Sequence, residues 1–149
     1  MDIRVKKVDQ KIREYVEIGC VEENSKVRTI IRFVKGLEGT VQGAKGEKIY
    51  EIPIVDIFYI ESVDNRTFIY SSKDNYEANL KLYEFEDLLK ENNFLRISKS
   101  TILNIMKVSS IKPALNGRFL CKLTNGEDVI ISRKYVSEFR EFISRKVES

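Results

Sequence analysis

Phe94-Leu95-Arg96-Ile97-Ser98-Lys99-Ser100-Thr101-Ile102-Leu103-Asn104 holds two short apolar runs separated by a polar interruption. Phe94 to Ile97 and Ile102 to Ile105 read as strands, because β-branched and aromatic residues fit a pleated, half-buried surface. The interruption breaks that pattern. If it continues a strand, Lys99 shares a face with Ile97, while Ser98 and Ser100 share the other with Arg96. Hydroxyls, a lysine and unpaired backbone N–H groups at a strand end suit a phosphate oxygen. Taken alone, an ordinary exposed passage from strand to loop has the same composition.

Downstream, Val108 to Ile111 repeats the strand signal. Asn116-Gly117 and Asn125-Gly126 are strong hairpin signals, with Phe119, Cys121 and Leu123 alternating between them. Upstream, Glu47 to Ile54 and Val55 to Ser62 are rich in Ile, Val, Phe and Tyr, and Pro53 breaks the run. Val63-Asp64-Asn65-Arg66 and Ser72-Lys73-Asp74-Asn75 are turn material around Thr67 to Tyr70, and Tyr76 to Asn79 starts a further strand. Three stripes at helical spacing complete the pattern: Val27, Ile30, Ile31 and Val34; Leu82, Phe85, Leu88 and Leu89; and Tyr135, Val136, Phe139, Phe142 and Ile143. Asn24-Ser25 offers an N-cap to the first helix and Gly36 a stop. Asp2 to Val8 and Arg13 to Glu22 alternate as strands would, with Val16, Ile18 and Cys20 on one face. Four glycines between Gly36 and Gly46 mark a soft boundary. The expectation is an α+β chain dominated by antiparallel strands, with a small strand/helix segment over 1–44 and the main domain over 45–149.

The chain has 149 residues, 42% apolar and 33% charged, enough to bury the core of one domain. It has no histidine and only two cysteines, Cys20 and Cys121, far apart in sequence. That removes His-based triads, His-containing zinc sites and CxxC clusters, and it fits a reducing compartment. Both cysteines are expected to be core or half-buried. No phosphate-binding glycine motif is present, and no acid/base pair is positioned, so neither an enzyme nor a cofactor or metal site is expected. Met1-Asp2-Ile3-Arg4-Val5-Lys6-Lys7 does not enter a signal-peptide core, and no apolar run approaches the ~18 residues of a membrane span. A cytoplasmic protein without membrane insertion is expected.

Charge is unevenly distributed. Residues 51–95 hold 4 Lys/Arg against 10 Asp/Glu, and residues 96–134 hold 8 against 2. Either the two blocks pair internally or the basic one meets an anionic partner. Two further segments favour the second. Ser132-Arg133-Lys134 reads as an N-cap followed by two cations in a helix first turn, where they oppose the helix dipole and a phosphate would relieve them. Arg133 could also reach a guanine edge with its two-pronged guanidinium. The turn Asp64-Asn65-Arg66-Thr67 carries side chains suited to base edges and backbone phosphates. By contrast, Arg28, Arg32 and Lys35 form an outer helix face, as do Glu84, Glu86, Asp87 and Glu91, whose carboxylates have no evident partner.

Four segments occur in order and at a characteristic spacing: Asp56-Ile57-Phe58-Tyr59-Ile60-Glu61-Ser62, Leu80 to Leu89, Phe94 to Asn104, and Ile131-Ser132-Arg133-Lys134-Tyr135. Together they resemble the LytTR DNA-binding domain of bacterial transcription regulators over roughly residues 45–146. The resemblance implies an elongated, mostly β fold that places loops, not a recognition helix, into successive major grooves of bent DNA. It also implies contact positions at Asn65, Arg66 and Thr67, at Ser98, Lys99 and Ser100, and at Arg133 and Lys134. Many members carry a histidine in the first or second of these loops and this chain has none, so their base preference does not transfer. Residues 1–44 are too short for the receiver domain often attached to the family, and they lack its acidic cluster.

The reading that follows is a sequence-specific regulator of transcription that binds double-stranded DNA, as a homodimer at least on DNA. Arg133 would read bases, and Lys99, Arg66 and Lys134 would mainly hold phosphates. Asn65, Thr67, Ser98 and Ser100 would add polar contacts. The alternative is a protein-interaction module that keeps the fold without binding DNA, using the acidic helix and the N-terminal segment.

Overall fold

Apolar alternation becomes ladder pairing wherever a second strand can cover it. The computed structural model describes residues 1–148, with side chains to Ser144. In order, the elements are α1 (Ser25–Lys35), β1 (Thr40–Lys45), β2 (Lys48–Pro53), β3 (Ile57–Val63), β4 (Arg66–Ser71), β5 (Asn75–Ala78), α2 (Leu82–Leu88), β6 (Phe94–Arg96), β7 (Thr101–Asn104), β8 (Val108–Pro113), β9 (Phe119–Leu123), β10 (Asp128–Ile131) and α3 (Val136–Glu148). A seven-stranded sheet runs in the order β2-β1-β5-β4-β3-β7-β6, and a three-stranded sheet in the order β10-β9-β8. All pairings are antiparallel, so the α+β, mainly antiparallel class holds.

Two cores share the middle of the large sheet. On one face, Leu82, Phe85 and Leu89 of the α2 region pack on Ile60, Ile69 and Ile102. On the other, Phe58, Ile97 and Leu103 pack against Phe119, Cys121, Leu123 and Ile131 of the small sheet and Phe139 of α3. β7 is therefore buried at all four residues, the signature of a strand covered on both sides. Its terminal Asn104 is 3% exposed. Asn104 Nδ2 donates to the Ile57 carbonyl at 2.9 Å and its Oδ1 accepts from Met106 N–H at 3.1 Å, so the buried amide is satisfied at both ends.

Several expectations are corrected. The alternating stretches of residues 2–8 and 13–22 form no strands: they meet no sheet edge, and Ile3, Val5, Val16 and Val21 are exposed. Cys20 lies on this segment and is exposed, whereas Cys121 is buried and burial pushes its thiol up to about 11. The polar interruption after β6 is a loop, not a continued strand, with Ile97 turned into the core and Lys99 exposed. Ser132 makes no side-chain cap; residues 133–135 form a turn of 3₁₀ helix before α3 begins. The glycine-rich stretch contains β1, which pairs with both β2 and β5 and so joins the large sheet.

Gly43 explains why a strand with so little side chain is tolerated there. A Cβ at this position would lie 2.7 Å from Ile52 Cδ1 and 2.7 Å from Tyr76 Cβ. Only a bare backbone lets β1 fit between them. Gly43→Ala is expected to destabilise the chain by about 1–3 kcal/mol through overpacking, read as a lower urea midpoint with an unchanged slope.

Candidate functional site

The first candidate loop is the β3–β4 hairpin. Asp64 and Asn65 both take positive φ, 51° and 63°, as a two-residue turn matched to strand twist requires. This puts Asn65 at the exposed tip. Arg66 follows on the sheet face, where its Nε and Nη2 donate to the two Glu77 oxygens at 2.9 and 2.6 Å and its guanidinium stands over the Phe68 ring. The pair is mutual: the Arg66 bond holds the Glu77 carboxyl below its ordinary value, and Glu77 raises Arg66. Thr67 is 4% exposed, so its side chain belongs to the interior and not to a contact surface. That corrects its assignment.

The second loop, residues 97–100, is braced from within. Arg96 Nε donates to the Ser98 carbonyl at 2.7 Å, Nη2 donates to the Lys99 carbonyl, and Nη1 reaches Glu86 of α2 at 3.3 Å. Glu86 thus has a partner after all. Ser98 Oγ accepts the Ser100 N–H at 3.1 Å, and the two hydroxyls lie 3.4 Å apart. Both serines are half-buried and shape the turn, leaving Lys99 as its exposed cation. The third segment follows β10, with Arg133 and Lys134 exposed and Lys134 Nζ above the Tyr135 ring.

Backbone hydrogen bonds tie the three segments together. Ser62 N–H, at the end of β3, donates to the Ser100 carbonyl at 2.8 Å, and Ser132 N–H donates to the Ile97 carbonyl at 2.9 Å. The second loop is therefore linked to the first hairpin on one side and to the third segment on the other. Among the described residues, no carboxylate lies within ion-pair distance of Lys99, Arg133 or Lys134.

Two features escape the sequence reading. Arg96 acts as a brace, although its position in a strand suggests nothing of the kind. The β8–β9 turn also borders the site: Asn116 and Gly117 take φ of 62° and 75°, and a Cβ on Gly117 would lie 3.0 Å from Arg133 Cδ. Arg133 thus lies along this turn, which also exposes Asn116 and Arg118. Asn116-Gly117 is legible as a hairpin signal, but nothing local in it points to Arg133. No group of His, Cys, Asp or Glu able to hold a metal occurs among the described residues.

Such a molecule is an α+β protein that presents uncompensated cations on linked loops of a two-sheet frame. A family model described as the LytTr DNA-binding domain matches residues 47–144. The chain belongs to this family. It is 28% identical to the solved LytTr DNA-binding domain of a methyl-accepting/DNA response regulator from Bacillus cereus, with a TM-score of 0.68 over 71% of this chain and 97% of that one. It is 31% identical over 105 residues to the transcriptional regulatory protein YpdB of Escherichia coli K12, matching 70% of this chain and 43% of YpdB. The chain thus spans less than half of that relative. An HTH-type transcriptional regulator of Staphylococcus aureus strain NCTC 8325 is 27% identical over 132 residues, 87% of this chain and 89% of the other.

Removing the brace should loosen the second loop without touching its exposed lysine. Arg96→Ala is expected to lower stability by about 1–3 kcal/mol, since two carbonyls lose a charged donor, and to speed amide exchange across residues 97–101. Arg96→Lys should restore little of this, because a point charge cannot span both carbonyls as the fork does.

Proposed function

We propose that this chain is a cytoplasmic, sequence-specific regulator of transcription that binds double-stranded DNA through its loops and acts on DNA as a homodimer. The observation that carries the reading is the set of exposed cations Lys99, Arg133 and Lys134, with no carboxylate in ion-pair distance among the described residues, on loops joined by backbone bonds. Cations held on a rigid frame without counter-charges have their full field available to phosphates. The three helices are separated from one another by strands, which favours loop insertion over a helix-turn-helix. No helix among the described residues is long and apolar enough to cross a membrane.

Within this reading Arg133 reads a base edge, backed by the Asn116-Gly117 turn, while Lys99 and Lys134 hold phosphates. Asn65 reaches out from the first hairpin tip. Arg66 has a secondary role, because meeting a phosphate requires it to give up Glu77. Ser98 and Ser100 contribute mainly through loop shape and the backbone.

Fluorescence anisotropy on promoter and random duplexes over a salt series tests this directly. Tighter binding to the promoter with a steep salt slope is expected. Arg133→Ala should lose about 1–3 kcal/mol and relax preference at one base position. Lys99→Ala should weaken both duplexes alike and flatten the slope by about one unit. Absence of binding to either duplex at low salt would sink the reading in favour of a protein-interaction module.

A further inference from the structure

An apolar cleft of about 330 Å³ lies where α1 meets the rest of the molecule, between Thr29, Ile30 and Phe33 of α1, Ile105 and Met106 after β7, and Phe142 of α3. The N-terminal arm, residues 1–24, leaves most of its own apolar residues uncovered. Val5 is 94% exposed, Val16 65% and Val21 106%. One molecule thus carries an open apolar cleft together with a segment most of whose apolar residues are exposed, Val8 and Ile18 being half-buried.

Charge identifies the arm as the cleft's complement. Residues 14–23, Glu14-Tyr15-Val16-Glu17-Ile18-Gly19-Cys20-Val21-Glu22-Glu23, hold four glutamates and no Lys or Arg. α1 carries Lys26, Arg28, Arg32 and Lys35, all exposed, and no acidic residue. None of the four glutamates is in an ion pair among the described residues. An acidic strip with apolar residues in it therefore complements a cleft whose α1 wall carries no carboxylate and has Arg32 at its edge, donating to the lining Thr29 hydroxyl at 3.3 Å.

We infer that residues 14–23 dock into this cleft of a second copy, each arm filling the other's cleft in a two-fold dimer. In this structure no residue of the arm lines its own chain's cleft. Asn24 Oδ1 caps Val27 N–H at 3.0 Å and Arg28 Nη1 donates to the Glu23 carbonyl at 2.7 Å. Together these bonds fix the direction in which the arm joins the helix, and the arm leaves its own cleft open. Reciprocal exchange closes the assembly without leaving a free arm or cleft. A stable interface buries about 1,200–2,000 Å² in all, and two reciprocal contacts supply twice the area of one. This specifies how the proposed homodimer is built, and it requires no DNA.

Sedimentation of the full chain without DNA tests it, so that failure here leaves the DNA reading standing. A dimer is expected for the native sequence, with the dissociation constant raised at least tenfold by Val16→Asp/Val21→Asp in the arm and by Met106→Asp in the cleft. Both sets alter exposed positions outside the two cores, so circular dichroism should be unchanged. A native chain that stays monomeric, or a dimer indifferent to the arm variant, overturns the proposal. The direction of docking is read separately with a short bis-maleimide on Met106→Cys, where exposed Cys20 supplies the second thiol and buried Cys121 stays silent. Linkage between chains supports exchange, whereas linkage within one chain, or none, overturns it.

Discussion

β7 is four residues long and every one of them is buried. A strand so placed holds only if both of its faces are covered and its polar atoms are satisfied. The α2 region covers one face through Phe85 and Leu89, and the small sheet with Phe139 covers the other. Asn104 closes the ladder at its end by bonding the Ile57 carbonyl and Met106 N–H. The pairing of β7 with β3 and β6 then fixes both flanks of the 97–100 loop. A loop anchored between two buried residues, Ile97 and Thr101, has few ways to move as a whole.

This frame also decides how charge is presented. The acidic and basic blocks of the sequence could have neutralised each other, and the structure shows little of that. Of the basic residues between 96 and 134, Arg96 pairs across the blocks with Glu86, and Lys122 pairs with Asp128 inside its own block. Arg66 and Glu77 likewise satisfy each other within the acidic block. The cross-block pair restrains a loop, since the same guanidinium holds the Ser98 and Lys99 carbonyls. The loop cations keep their charge, and the frame keeps them close together.

Much of this was legible because period and turn chemistry are local. The Asp64-Asn65 turn, the strand around Ile60, the α2 stripe and the three loops follow from residues within a few positions of one another. What was not legible depends on distant partners. Gly43 reads as a breaker until Ile52 and Tyr76 are seen to close around it. Thr67 reads as a contact residue, but its place in β4 turns it inward, and Arg66 is claimed by Glu77 eleven residues further along the acidic block. The alternation of residues 2–8 and 13–22 is a β pattern that pairs with none of the sheet edges of this chain. Periodicity shows what a segment could form, whereas pairing decides whether it does.

The two proposed surfaces lie at opposite ends of the same elements. β7 begins at the 97–100 loop and ends at Asn104, one residue before Ile105 and Met106 enter the cleft. Four residues of strand separate them by about 13 Å. Arg133 and Phe142 are likewise separated by the 3₁₀ turn and the first two turns of α3. The arm and a duplex would therefore use different side chains, Ile105 and Met106 at one end of β7 and the 97–100 loop at the other.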